Sequence, residues 1–433
     1  MPEKGTEEPE DEDKNGEQQT PPAPEGSTIF VEPKTLFTSA YVQYTDGKTD
    51  SVEVQSGAIV VPKESNGKTI YSISFSPKGT NILIGRKAGE EINLKFNDEG
   101  TQLEYRYGDN GLGGKPVLIG SYQELIKIRD AFDKTKLDSG KVKSQYVDII
   151  QDGDIDLFGS NIYKNGVYRT WQPIGTIVNG EANGGVSEGD VLFTATYEGN
   201  GKKILNMKIE TDQNFQGFFA GIGVHESGTK GKVRNLIIQN SYVESGDTSG
   251  ILTGINMGII ENCIVRDSTI TRALVAGKGR SLGGICGSNI SGGEITASYF
   301  IGKVEGFDTL GGIAGVNNGA IMGCWHFGDV LIYIGGSGAD SRHIAGRITG
   351  GGKMYCYWFG NIDNNGAQII DTEDVQFSAA QWPYFPSDND TNADAPWSEY
   401  RMRDSKVSGR WESIGTPSDT PTRNTLPKLW FDR

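Results

Sequence analysis

The side chains able to do chemistry are few and scattered. The chain holds three histidines, His225, His326 and His343, and four cysteines, Cys263, Cys286, Cys324 and Cys356. A zinc site needs three or four converging ligands and is marked in sequence by short Cys/His spacings; neither CxxC nor HExxH occurs. His326 falls two residues after Cys324, at the alternation position that Phe300 and Trp358 occupy in neighbouring repeats, so it reads as a core residue, while His225 and His343 have no recognisable partner. Asp152, Asp154 and Asp156 share one face of a strand. Glycoside hydrolysis needs two carboxylates held roughly 5–10 Å apart across the scissile bond, and no column of acids faces these three. Arg266 and Arg272 flank the repeat at Cys263 without the carboxylate cluster that would accompany them in a lyase. Asp388, Asp390, Asn392, Asp394 and Glu399 place oxygen side chains at positions 1, 3, 5, 7 and 12 of a calcium-loop template. Ala393 stands where that loop needs glycine and Pro396 interrupts it, so a solvated acidic turn competes with a weak calcium site; no other cofactor is expected.

Such sparse chemistry shifts attention to what the 433 residues build. A formal net charge of −15, from 41 Lys+Arg against 56 Asp+Glu, disfavours nucleic acid and acidic membranes, because phosphate binding needs clustered cations. No apolar run approaches the roughly 20 residues of a membrane-spanning helix, so no transmembrane helix is expected. The 61 glycines are about twice the usual share and carry neither a collagen period nor a low-complexity run, which implies many turns.

Residues 1–26 combine nine acids with five prolines and almost no apolar side chains, a composition expected to stay disordered as an acidic tether. Residues 27–112 change to short alternating segments such as Ser51–Gln55, Thr69–Phe75, Ile92–Phe96 and Gln102–Tyr107, with Asp46-Gly47 and Asn66-Gly67 suited to tight hairpins; this predicts a small antiparallel β-sandwich. A helix near 121–133 opens on a capping box, Ser121 and Glu124, and gathers Leu125, Ile128, Ala131 and Phe132 on one face, as a lid over an exposed sheet end would.

From there two elements alternate. A small-residue loop recurs at Gly217–Gly221, Gly250–Gly254, Gly283–Gly287, Gly311–Gly315 and, more weakly, Arg342–Gly346, its closing glycines spaced 33, 33, 28 and 31. A short strand recurs at Leu205–Met207, Arg234–Leu236, Glu261–Cys263, Thr296–Ser298, Met322–Cys324 and Met354–Cys356. Repeats of about 30 residues without intervening helices predict an all-β architecture: a right-handed parallel β-helix over 116–365, followed by a tail over 366–433 that packs on the solenoid. Stacked repeats make columns of like residues. One column is Met207, Leu236, Cys263, Ser298, Cys324 and Cys356, a second is Ala220, Thr253, Cys286, Ala314 and Ala345, and Asn206, Asn235 and Asn262 form a third. The cysteines then serve as small apolar core residues.

Leu310–Gly319, Ile321–Trp325 and Gly328–Val330 together resemble the glycine-rich GLUG repeat of bacterial surface adhesins, whose repeats are related to non-catalytic repeats of immunoglobulin A1-specific metallopeptidases. Asp154–Leu157, Trp171–Gly175 and Phe193–Lys202 resemble the stretch that introduces those repeats, and Leu426–Phe431 the family's terminal motif. The resemblance implies a lipid-anchored protein of the cell surface or outer membrane of Gram-negative gut anaerobes, or a secreted one, binding a host or microbial glycan or glycoprotein without catalysis. The lipidated cysteine of that family is not among the residues of this chain, and the anchor is expected upstream.

Beside the small-residue column run Ile237, Ile264, Tyr299, Trp325 and Tyr357, turned outward by alternation. Tyr299, Trp325 and Tyr357 are the candidate ligand-binding residues, as rings one repeat apart stack on successive sugars. The alternative is that the tail covers them, since large apolar patches are seldom left exposed. Two other readings remain open, a polysaccharide-processing enzyme and a structural surface subunit whose sheet edge pairs with a partner strand.

Overall fold

The computed structural model describes residues 27–107, 117–133, 148–157, 170–178, 189–376 and 411–432, apart from short stretches within them. The 1–26 segment and the Asp388–Glu399 candidate calcium loop lie outside the described residues. The chain is nearly all β, with one α-helix among the described residues.

Residues 27–107 form one eight-stranded sheet, mostly antiparallel and curved into a half-barrel. It bends within Thr49–Gln55, whose first five residues pair with Ser39–Tyr44 while Val54 and Gln55 pair with Ala58–Val61. The two leaflets are therefore continuous, and Ser27–Glu32 adds a parallel pairing with Ile92–Phe96 that hairpin patterning could not reveal. Between the leaflets Phe37, Phe75 and Phe96 meet at centroid distances of 4.7 to 5.2 Å, the centre of a core of this segment's own residues.

Helix α1, Tyr122–Ala131, starts as its capping box requires. Ser121 Oγ accepts from the Glu124 amide, and Glu124 Oε2 accepts from Gly120 N at 2.9 Å and from Ser121 Oγ at 2.8 Å. Those bonds hold the Glu124 carboxyl below its usual range. Leu125, Ile128 and Phe132 are buried with Ile119, Ile149 and Phe193 at the start of the parallel strands that follow.

Those strands form three long parallel sheets built from the same succession of repeats, beside a short parallel one of Ser249–Gly250, Leu282–Gly283 and Leu310–Gly311. The first contains Val117–Ile119, Asp148–Gln151, Thr196–Glu198, Lys232–Arg234, Ile259–Glu261, Glu294–Thr296, Ala320–Met322 and Gly352–Met354. The second includes Ile155–Asp156, Lys203–Leu205, Ile237–Gln239, Ile264–Arg272, Tyr299–Gly306, Trp325–Ile332 and Tyr357–Phe359. The third contains Phe219–Ile222, Thr253–Asn256, Cys286–Asn289, Ala314–Asn317 and Ala345–Ile348. From Thr253 to Phe359 each repeat adds one strand to the third sheet, one to the first and one to the second.

Registers correct the predicted columns at their early ends. Glu198 pairs with Arg234 and Leu205 with Gln239, so Asn206 and Met207 belong one corner further on than Asn235 and Leu236. Phe219, not Ala220, pairs with Thr253. A slip of one residue exchanges inward and outward faces, and matching Gly221 with Gly254 made that slip. From Thr253 onward the second column is in register as read, and Cys263, Ser298, Cys324 and Cys356 follow one another at the corner between the first and second sheets. At that corner Asn235, Asn262, Ala297 and Gly323 all take the left-handed conformation, φ 52, 52, 44 and 59°. Asparagine is the non-glycine residue best suited to it.

A polar ladder runs up the third sheet. Asn256 Nδ2 donates to Asn289 Oδ1 at 2.8 Å, and Asn289 Nδ2 to Asn317 Oδ1 at 2.7 Å, all three being fully buried. Asn256 and Asn317 each also accept from the glycine amide two residues on, closing the turn into the first sheet. A buried amide would otherwise lose its hydration without compensation.

Candidate functional site

Alternation places Tyr299, Trp325 and Tyr357 in adjacent register on the outer face of the second sheet. Tyr299 and Trp325 stack face to face, ring centroids 4.1 Å apart and planes 7° from parallel. Of the two readings of this column, the open ligand face is not there and the covering by the tail is: their exposures are 0%, 1% and 4%. Leu426, Leu429 and Phe431 close over the column and form a second apolar core with Ile237 and Ile264. Polar contacts fasten this cover. Asp432 accepts from Arg266 and from the Tyr299 hydroxyl, and Arg423 pairs with Asp267. Burial, and secondarily the Asp432 charge, push the Tyr299 hydroxyl well above its usual pKa. Sugar rings cannot reach these aromatic faces while the C-terminal segment lies there. Arg266 thus acts as an anchor for the cover, and Arg272 lies over the Tyr333 ring at 4.6 Å.

On the inner face of the same sheet the register runs Ile204, Ile238, Val265, Phe300, His326 and Trp358. His326 is a core residue, stacked on Phe300 at 5.2 Å. It also has a partner that sequence spacing concealed: its Nδ1 lies 3.1 Å from Nδ1 of His343, whose ring stacks on Trp358 at 4.0 Å. The expectation that His343 stands alone is thereby corrected. His326 Nε2 faces the Gly302 carbonyl at 3.4 Å, so Nε2 carries the proton, and His343 donates from Nδ1 to the bare Nδ1 of His326.

The glycine motif explains why a histidine stands at 343. A Cβ on Gly284 would meet the Phe300 ring at 2.2 Å, and one on Gly312 the His326 ring at 2.3 Å. The second glycine of each Gly-Gly pair makes room for the ring opposite it. In the next repeat that place is taken by His343, which fits by lying flat against Trp358. Burial lowers the pKa of both histidines, that of His326 to about 4.

The four thiols are free and buried. Burial pushes Cys263 up to about 12 and raises Cys286 and Cys324 as well, opposite to the shift that activates a nucleophile. The aspartates do not share one strand face: Asp152 and Asp154 lie between Asp148–Gln151 of the first sheet and Ile155–Asp156 of the second, Asp154 accepting from Lys203 N at 2.8 Å and Asp156 from Asn206 Nδ2 at 2.9 Å. The most buried carboxylate–guanidinium pair among the described residues was not apparent in the sequence. Glu198 Oε2 lies 2.8 Å from Arg234 Nε, and Glu198 also accepts from Asn235 Nδ2 and Asn200 N. Asn262 Nδ2 continues the network to Asn235 Oδ1 at 3.1 Å. These groups hold adjacent repeats together.

No family model matches the chain. A stretch of 105 residues, 24% of the chain, is 34% identical to halomucin of Haloquadratum walsbyi and spans 1% of that much longer protein. Among solved structures an IgA1 protease aligns over 83% of this chain and 28% of its own, with 10% identity and a TM-score of 0.27. A likeness that weak carries neither fold nor activity across. No helix among the described residues is long and apolar enough to cross a membrane.

Proposed function

We propose that the protein is a non-catalytic surface adhesin that binds a glycan or glycoprotein. In this reading its three parallel sheets are the faces of a right-handed parallel β-helix, the hand that parallel crossover connections take. One observation carries it: repeat after repeat adds one strand to each sheet, locked by the Asn256–Asn289–Asn317 ladder, which suits a rigid face better than a hinged catalytic cleft. The burial of His326, His343 and the four cysteines supports the absence of catalysis. The halomucin similarity supports a surface setting. Because Leu426, Leu429 and Phe431 cover the aromatic column, ligand binding is assigned to other surfaces. The test is binding of the whole chain to immobilised mucin and to protein stripped of glycan. Retention on mucin that falls after deglycosylation supports adhesion to glycan; equal retention on both sends the assignment to a protein partner.

A further inference from the structure

We infer that the start of the parallel stack carries a site for a neutral sugar, one or two rings long, in the cleft between the end of helix α1 and the segments 172–177 and 213–216. The inference rests on the adhesin reading and gives it a location. The cleft has a volume of about 330 Å³, at the small end of the range usual for small-molecule sites.

Its lining matches one ligand chemistry. Gln172, Gln213, Asn214 and Gln216 contribute planar amides, each offering donors and an acceptor in the fork geometry that vicinal hydroxyls complement. The two charged residues, Arg129 and Asp133, have opposite signs, and Arg129 already gives Nε and Nη2 to Asp130 Oδ1. Arg129 is thus already neutralised, and the cleft offers no free cation to a phosphate or a sulfate. Pro173, Ile177, Phe215 and Ala220 supply apolar surface for the C–H face of a sugar ring.

The walls are also built rigidly. Phe215 is a bulky residue at φ 60°, a conformation that persists only where its surroundings enforce it. Here its amide donates to Asp247 O at 3.1 Å. Behind it the backbone of Gly254 is so close that a Cβ there would lie 2.7 Å from Phe215 Cα. Asn214 Oδ1 accepts from Asp247 N at 2.8 Å, and Gln216 Nε2 donates to Asn214 O at 2.8 Å, so two of the four amides are already oriented. Gln172 and Gln213 are exposed and can turn toward a ligand without unmaking any core contact. On the opposite wall Gly175 sits at φ 91°, and a Cβ there would lie 2.6 Å from the Val191 carbonyl.

The test is saturation-transfer NMR on the whole chain with lactose, cellobiose and N,N′-diacetylchitobiose, with inorganic sulfate as the anionic control. The Gln172→Ala/Gln213→Ala double variant and an Ile177→Trp variant that fills the cleft are run beside it, each checked for an unchanged Tm. The expected result is binding of at least one disaccharide, no effect of sulfate, and about tenfold or greater weakening in both variants, as lost hydrogen bonds and lost volume require. Disaccharide binding that both folded variants retain overturns this site while leaving the adhesin reading standing. Competition by sulfate overturns the assignment to a neutral ligand. Binding of mucin glycans with none of the three disaccharides overturns the proposed size and chemistry, and absence of all glycan binding overturns both readings.

Discussion

Lowering the pH from 7.5 to 4 should destabilise the parallel stack through its two buried histidines, and the size of the contribution of one of them, His326, follows from its surroundings. His326 is wholly buried between Phe300 and Trp358 in the inner column, within hydrogen-bond reach of His343 and the Gly302 carbonyl. Its folded-state pKa is depressed from 6.5 to about 4 by burial. Above pH 6.5 neither the folded nor the unfolded chain protonates this ring, and its neutral form is fully accommodated. Between 6.5 and 4 only the unfolded chain takes up the proton, so stability falls as the pH falls; below 4 the contribution levels off. The interval corresponds to roughly 3 kcal/mol at 1.36 kcal/mol per unit. Urea denaturation of the native protein and His326→Phe at pH 7.5, 6, 5 and 4 measures it, because carboxylate titrations common to both cancel in the difference. At pH 7.5 the variant should be less stable, having left the His343 N–H without its acceptor. By pH 4 its deficit should shrink by roughly 3 kcal/mol or reverse. Parallel stability curves for the two proteins would refute the placement of a neutral histidine in the core.

Asp432→Asn should loosen the cover on the aromatic column, costing about 2–3 kcal/mol as a largely buried ion pair is broken, with a red shift in tryptophan emission as water reaches Trp325. Gly312→Ala should cost more than about 3 kcal/mol, because the added carbon meets the His343 carbonyl at 2.2 Å; Gly292→Ala, in open space at φ 83°, should cost about 1 kcal/mol in the same melting assay. Asn289→Ala removes the middle rung of the ladder and should lower stability by about 2–3 kcal/mol, read as a lower urea midpoint. The cysteines should resist a thiol reagent at pH 8 in the folded protein and react promptly in denaturant, since all four are buried.

Much of the fold was legible because stacking makes sequence repetition visible. The recurrence of Gly-Gly-Ile-x-Gly marked the repeats but read as a loop, where the strands Thr253–Asn256, Cys286–Asn289 and Ala314–Asn317 of the third sheet begin; alternation from Tyr299 and Trp325 gave the second sheet its faces. The limits have physical causes. The first repeats are irregular, so matching Asn206 with Asn235 misplaced Met207 and matching Gly221 with Gly254 misplaced Ala220; their positions follow from strand pairing. Alternation told which way Tyr299, Trp325 and Tyr357 point from the sheet, but pointing outward is not exposure when Leu426–Phe431, about 70 residues or more downstream, lies over them. The His326–His343 contact joins a strand of the second sheet to the bend that precedes Ala345–Ile348 and has no sequence spacing of its own. Its trace was the poor match of Arg342-His343 to a Gly-Gly pair. The Asn256–Asn289–Asn317 ladder was readable in retrospect, each asparagine ending a third-sheet strand shortly before a glycine.

The most direct test of the central claim is mass spectrometry of mucin oligosaccharides recovered after prolonged incubation with the whole protein, alongside their retention by it. The account predicts that retained oligosaccharides come back at full length and unmodified. Shortened or unsaturated products that depend on the folded protein would contradict it and make this stack an enzyme.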